Sequence, residues 1–225
     1  MKIRLGNVHG CISADECRDT AAGLHEQLAC GRYDWPVSLL RLDDFNDWHA
    51  WHRTARKRAA RASRLGYYIE RIERAQHIDE IHRINTSKPV RQGRPMTASY
   101  QERPSFSPLP GFPCRRHRID QWGIFAPSLI PPDQRVGGEQ ISTDPILVGY
   151  LVAYVSGDLL MVSQILGHAD HLDREIMYLL VATVLRESPH PAVAFYNRHD
   201  SGTDGLRFFK ERLGFHADRA EWTLQ

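Results

Sequence analysis

The run Ile146-Leu147-Val148-Gly149-Tyr150-Leu151-Val152-Ala153-Tyr154-Val155 is almost continuously apolar, bounded by Pro145 and by Ser156-Gly157-Asp158. With apolar residues at odd and even positions alike, neither face is left for water, so the run reads as a strand covered on both sides. Gly157-Asp158 turns it through a tight hairpin into a second strand, Leu159 to Ile165.

The flanking segments alternate between helix and strand patterns. Ser13 to Cys30 reads as a helix, with Ser13 and Glu16 as a capping box and Gly31 as its stop. Residues 1–35 are therefore expected to be an N-terminal helical appendage, and 36–225 the main domain. Val37 to Leu42 suits a strand. Asp44 to Leu65 lacks Pro and Gly and favours helix, with Gly66 ending it. Tyr67 to Ile72 reads as a strand, followed by a helix with Ile78, Ile81 and Ile84 at three-residue spacing. Pro104, Pro108, Pro110 and Pro113 force a long loop over 103–113. Gln121 to Ala126 is a strand and 127–145 a second Pro/Gly-rich loop. Asp173 to Glu187 is an apolar helix with Asp173 as a possible N-cap. Strand Ala192 to Tyr196, helix Asp204 to Leu213 capped by Gly214, and a strand near Glu221 to Leu224 complete the chain.

With 225 residues, 42% of them hydrophobic and 25% charged, the chain can build a sizeable core. No stretch approaches the roughly 18 apolar residues of a membrane helix and the N-terminus lacks an apolar signal region, so no membrane association and a cytoplasmic location are expected. The four cysteines form no C-x-x-C pair and read as free thiols. The net charge of +2 hides an asymmetry. Arg53, Arg56, Lys57, Arg58, Arg61 and Arg64 fall in an acid-free stretch, and seven further bases between 88 and 118 face the single acid Glu102. Residues 53–64 and 88–118 could meet a nucleic acid, or could be a solvated helix face and a loop.

The hairpin, helix, strand, helix, strand order over 146–225 resembles the GNAT superfamily of N-acetyltransferases. Val148-Gly149-Tyr150-Leu151 resembles that family's third strand, and Gly205-Leu206-Arg207-Phe208-Phe209-Lys210-Glu211-Arg212-Leu213-Gly214-Phe215 its closing helix. The resemblance implies an α/β fold, a mixed, mostly antiparallel central sheet flanked by helices. It also implies acyl transfer from acetyl-CoA or another acyl-CoA to an amine-bearing substrate. Gln164-Ile165-Leu166-Gly167-His168-Ala169 matches the family's Q-x-x-G-x-A pattern, which would place Gln164, Gly167, Ala169 and Arg174 on the coenzyme. A backbone amide near Ser163 to Ile165 would polarise the acyl carbonyl, Tyr196 or Asn197 would face the thiol, and His168 is the candidate base.

His168 and His171 could serve as metal ligands together with His190, His199 or Asp170. No third ligand stands at a diagnostic spacing, so no metal is expected. The basic stretch 53–67, then a strand, a helix and Arg91-Gln92-Gly93, is similar to the FemAB-like branch, whose members move aminoacyl groups from transfer RNA. The polar segment 85–95 reads as a substrate loop in which Arg91, Gln92 and Arg94 orient the substrate. Two alternatives stand beside acyl-CoA-dependent transfer. One is acyl or aminoacyl transfer with transfer RNA or DNA as donor or target; the other is a non-catalytic nucleic-acid-binding module on a decayed transferase fold.

Overall fold

The computed structural model describes residues 1–6, 11, 14–29, 35–42, 53–106, 114–127, 145–188 and 191–224. In chain order the elements are β1 (Lys2–Arg4), α1 (Ala14–Ala29), β2 (Val37–Arg41), α2 (Arg53–Arg64), β3 (Tyr68–Arg71), a 3-10 turn (Arg74–Gln76) and α3 (Ile78–Thr86). There follow β4 (Val90–Arg91), β5 (Arg94–Pro95), α4 (Ala98–Gln101), β6 (His117–Ala126), β7 (Ile146–Ser156) and β8 (Leu159–Gly167). A second 3-10 turn (Ala169–Arg174), α5 (Ile176–Arg186), β9 (Val193–Arg198), α6 (Asp204–Arg212), β10 (His216–Asp218) and β11 (Glu221–Thr223) complete the order.

The apolar run becomes β7, inside a seven-stranded sheet ordered β10-β2-β9-β8-β7-β6-β3. Its alternate residues feed two layers, which is why the run lacks a polar face. Leu151, Ala153 and Val155 share a core with the α2 residues Ala55, Ala59 and Ala62 and with Ile176, Leu180 and Val184 of α5. Tyr150 and Val152 point the other way, into a cluster with Ile81 and Ile84 of α3. The alanine stripe of α2 lets that helix lie close against the core while its arginines remain outward.

All sheet neighbours are antiparallel except β8 and β9, so the sheet is mixed and mostly antiparallel as expected. The N-terminal segment is woven in: β1 pairs with β11, and Ile3, Leu5, Ala21, Leu24 and Leu28 share a core with Val37, Leu39, Leu159, Val193 and Phe195.

Several boundaries move. The strand expected from Gln121 begins at His117, and the one expected to end at Ile165 runs to Gly167, because cross-strand pairing runs the length of β7 that lies between them. The helix expected from Asp173 starts at Ile176. Glu175 takes a left-handed conformation (φ +65°) and residues 169–174 form the 3-10 turn, so Asp173 is not the N-cap. The Ser13 cap, the Gly31 stop, residues 44–52 of the second helix and most of both Pro-rich loops lie outside the described residues.

Candidate active site

The one parallel pair within the seven-stranded sheet is also the one that parts. β8 and β9 are in register at Leu159 with Val193, Leu160 with Ala194 and Met161 with Phe195. Beyond Met161 and Phe195 both strands continue unpaired to each other, to Gly167 and Arg198. The gap opens a cavity of about 570 Å³, walled by Ile165 and Gly167 of β8, by Tyr196 and Asn197 of β9, and by Phe209 of α6. On its β7 side, β8 carries a bulge between Val162 and Gln164. Ser163 and the residues after it thus present a strand edge with no β9 partner to the gap, where backbone amides can meet a ligand.

The roof is the β4–β5 hairpin. Gln92 (φ +52°) and Gly93 (φ +74°) form its tip, a turn of the hand that suits two-residue hairpins. That tip lies against the loop before α6: a Cβ built on Gly202 would stand 3.1 Å from Gln92 Oε1. Arg91 anchors the hairpin below. Its guanidinium donates to Gly167 O (2.9 Å), Ile84 O (2.8 Å) and Ser87 Oγ (2.9 Å), tying the end of α3 to the end of β8. Burial pulls the Arg91 pKa below its ordinary value.

The cavity wall carries Lys88, Arg91 and Arg94 and no acid. Arg91 is committed to carbonyls, whereas exposed Lys88 and Arg94 have no ion-pair partner among the described residues. An anionic or electron-rich ligand group suits this rim. Tyr196 is buried, which pushes its phenol well above the usual tyrosine range and keeps it protonated at neutral pH. Phe209 and Phe215 hold the Tyr196 ring edge-on. Asn197, the last residue but one of β9, takes a left-handed conformation (φ +53°), its Oδ1 accepting from Arg198 N at 2.7 Å.

Of the residues singled out in the sequence, the structure brings Arg91, Gln92, Arg94, Gly167, Tyr196 and Asn197 to this cavity. Four others lie elsewhere. Gln164 sits mid-strand in β8, not in a loop; its Oε1 accepts from Arg74 (2.7 Å) and its Nε2 donates to Tyr100 OH (3.3 Å). His168 does not line the cavity, and its Nδ1 caps the 3-10 turn by accepting from Asp170 N at 3.4 Å. Ala169 N is taken by Ser87 Oγ at 3.1 Å. Arg174 is exposed, 3.6 Å from Asp173. Lys210, buried against Tyr196, carried no signal in the sequence because its neighbours in α6 are mostly exposed.

A coenzyme pyrophosphate would need free amides at the start of α5, where the helix dipole favours an anion. The turn that leads into α5 does not offer them: the amides of Ala169, Asp170, His171 and Glu175 are bonded within the turn or to Ser87. The Glu175 carboxylate, on the N-cap residue of α5, makes no cap hydrogen bond and pairs instead with Arg58 Nη1 at 2.7 and 2.8 Å.

The basic stretches are partly neutralised. Arg58 pairs with Glu175, Arg103 with Asp79 (2.8 Å), and Arg118 with Asp120 (2.9 Å), while Arg53, Lys57, Arg61 and Arg64 line the exposed face of α2. Among the described residues no helix is long and apolar enough to cross a membrane.

A mixed sheet with one splayed parallel pair, flanked by helices on both faces, defines an acyl-CoA N-acyltransferase-like fold. Two solved structures agree, FemX and a C-terminal domain from Agrobacterium fabrum. FemX superposes with a TM-score of 0.59 at 10% identity, over 89% of this chain and 66% of FemX. The C-terminal domain of an Agrobacterium fabrum protein assigned as a lysylphosphatidylglycerol synthetase gives 0.52 at 13% identity, over 91% of this chain and 69% of that one. A GCN5-related N-acetyltransferase from Kribbella flavida gives 0.41 at 14% identity, over 88% and 61%. The chain thus spans about two thirds of the length of these structures. No family model and no curated protein matches the sequence.

Proposed function

We propose that this chain is an acyltransferase that moves an acyl or aminoacyl group onto an amine, with the reacting groups seated between β8 and β9. The parting of that parallel pair beside Tyr196 carries the reading, since it sets an unpartnered strand edge opposite a buried phenol. Amides near Ser163 to Ile165 would steady the oxyanion that forms when the amine adds to the acyl carbonyl. Tyr196 would give its proton to the departing atom and recover one from the ammonium nitrogen of the tetrahedral intermediate, leaving an amide and a neutral leaving group. No carboxylate or imidazole lines the cavity among the described residues, so this phenol relay is the route the walls offer.

The donor that suits this site is an ester-linked aminoacyl group on a transfer RNA rather than an acyl-CoA. Three observations support this: the Glu175–Arg58 ion pair and the bonded amides ahead of α5, the cations Lys88 and Arg94 at the rim, which have no ion-pair partner among the described residues, and the likeness to FemX. Lys88, Arg94 and the outer face of α2 would meet the phosphate backbone.

A thermal-shift titration tests the donor. Transfer RNA should stabilise the protein by an amount that shrinks steeply with salt, while acetyl-CoA should leave the midpoint unchanged. Stabilisation that grows with acetyl-CoA concentration would overturn the transfer RNA reading. Transfer itself is tested with labelled aminoacyl-tRNA and an amine acceptor, the expected product being an acid-stable amide that carries the label.

A further inference from the structure

At the end of β7 away from the cavity, three cysteines meet a histidine. The Sγ atoms of Cys11, Cys17 and Cys114 and a ring nitrogen of His117 all lie within 4.8 Å of one another. His117 Nδ1 is 3.5 Å from Cys11 Sγ and 3.6 Å from Cys114 Sγ, and the two sulfurs are 3.4 Å apart. With Zn–S near 2.3 Å and Zn–N near 2.05 Å, a tetrahedral site has S···N edges of about 3.6 Å and S···S edges of about 3.8 Å. The observed S···N edges agree with these values, and the S···S edge is shorter by a few tenths of an ångström.

The surroundings are those of a ligand set. His117 Nε2 lies 3.2 Å from the carbonyl of Leu5, which also accepts from Ser156 Oγ at 3.0 Å. That carbonyl accepts only if the proton is on Nε2, which leaves the Nδ1 lone pair facing the sulfurs, the arrangement in which a histidine ligates a metal. The amide of Arg116 donates to Cys114 Sγ at 3.4 Å. Cys17, Cys114 and His117 are buried and Cys11 half-buried, and the three cysteines are free thiols. Burying three thiols and an imidazole this close leaves polar atoms that a shared cation would satisfy.

We propose that Cys11, Cys17, Cys114 and His117 form a closed tetrahedral site for a zinc ion. Thiolates with one imidazole select zinc over the hard cations, and four protein ligands leave no open position, so the ion is structural rather than catalytic. Binding releases a proton from each thiol that ligates. The ligands join segments 103 residues apart, pinning the start of α1 to the first residue of β6. The proposal is independent of the acyltransferase reading, because the site lies away from the β8–β9 cavity.

The full chain, expressed with zinc in the medium and desalted, should hold one zinc per molecule by elemental mass spectrometry. Cobalt exchanged into it should give the intense visible bands of tetrahedral thiolate coordination, and a strong chelator should lower the thermal midpoint. Cys11→Ser, at the least buried ligand, should keep the fold and bind zinc at least tenfold more weakly, while Cys17→Ser with Cys114→Ser should hold none. A wild-type protein that carries no zinc and gives only weak octahedral cobalt bands overturns the proposal, whatever the variants do. So does a non-reduced protein lighter by two hydrogens with Cys11 and Cys114 joined in a disulfide.

Discussion

The ammonium of Lys210 lies 5.1 Å from the centroid of the Tyr196 ring, and it donates to Arg198 O at 2.6 Å. Among the described residues no carboxylate pairs with it directly, and burial lowers its pKa from 10.5 to about 8 against the weaker pull of Asp200. The charged form is therefore disfavoured in the folded chain. Below pH 8 Lys210 is protonated whether folded or unfolded, and folding bears the whole desolvation cost. Between pH 8 and 10.5 only the unfolded chain binds the proton, so this group's effect on stability becomes more favourable as pH rises. Urea unfolding across that range should show wild type gaining about 3 kcal/mol relative to Lys210→Met, an upper figure from the shift itself. Parallel curves would show that Lys210 titrates normally.

Tyr196→Phe removes the proton donor and keeps the ring that Phe209 and Phe215 hold. Its thermal midpoint should stay within a few degrees of wild type while the rate of transfer falls by about 10²-fold or more, the range typical for losing a positioned acid. The measurement is single-turnover transfer with saturating acceptor. Unchanged rates would remove Tyr196 from the mechanism.

Arg91 and Arg94 should separate cleanly. Arg91→Ala removes the Arg91 bond to the Gly167 carbonyl and leaves Ile84 O with only its bonds from Ser87, and should cost about 1–3 kcal/mol in chemical denaturation; Arg91→Lys should recover only part, lacking the planar fork. Arg94→Ala, exposed and without an ion pair among the described residues, should change stability by less than about 0.5 kcal/mol. It should weaken transfer RNA binding and make that binding less sensitive to salt.

Glu175→Gly tests whether the carboxylate at the start of α5 is what excludes a coenzyme. Glycine relieves the left-handed backbone (φ +65°), worth about 1 kcal/mol, while the ion pair to Arg58 is lost, so net stability should change little. With the anion gone and Arg58 released, coenzyme A should stabilise the variant measurably by thermal shift and wild type not at all. No binding by either protein would mean that the bonded amides of residues 169–175 exclude it by themselves.

The sheet was legible because its signals are local. The unbroken apolar run of β7 foretold two covering layers, and Gly157-Asp158 foretold the hairpin into β8. Gly214 (φ +92°) ends α6 where the sequence placed a cap. The Gln164–Ala169 pattern left the side-chain directions open, because a six-residue match says nothing of whether β8 continues to Gly167. It does, with Gln164 bonded to Arg74 and Tyr100 and Gly167 at the cavity wall. The cysteines read as free thiols, and Cys11, Cys17 and Cys114 are free; what the spacing did not carry is that Cys114 and His117, two intervening residues apart, have neighbours near the other end of the chain.

What the sequence determined by itself was the longer strands and helices, since strand and helix periodicity depend only on near neighbours in the chain; the short elements β1, β4, β5, α4 and β10 carry no such signal. Tertiary structure alone decided where β8 and β9 part, that Arg91 clamps carbonyls instead of greeting an anion, that Glu175 pairs with Arg58 beside a helix N-terminus, and that three thiols meet one imidazole. Each of these joins groups far apart in sequence, such as Arg91 and Gly167 at a separation of 76 residues. Such partners are chosen by the register and crossing of packed elements, and no property of the neighbouring residues encodes that choice.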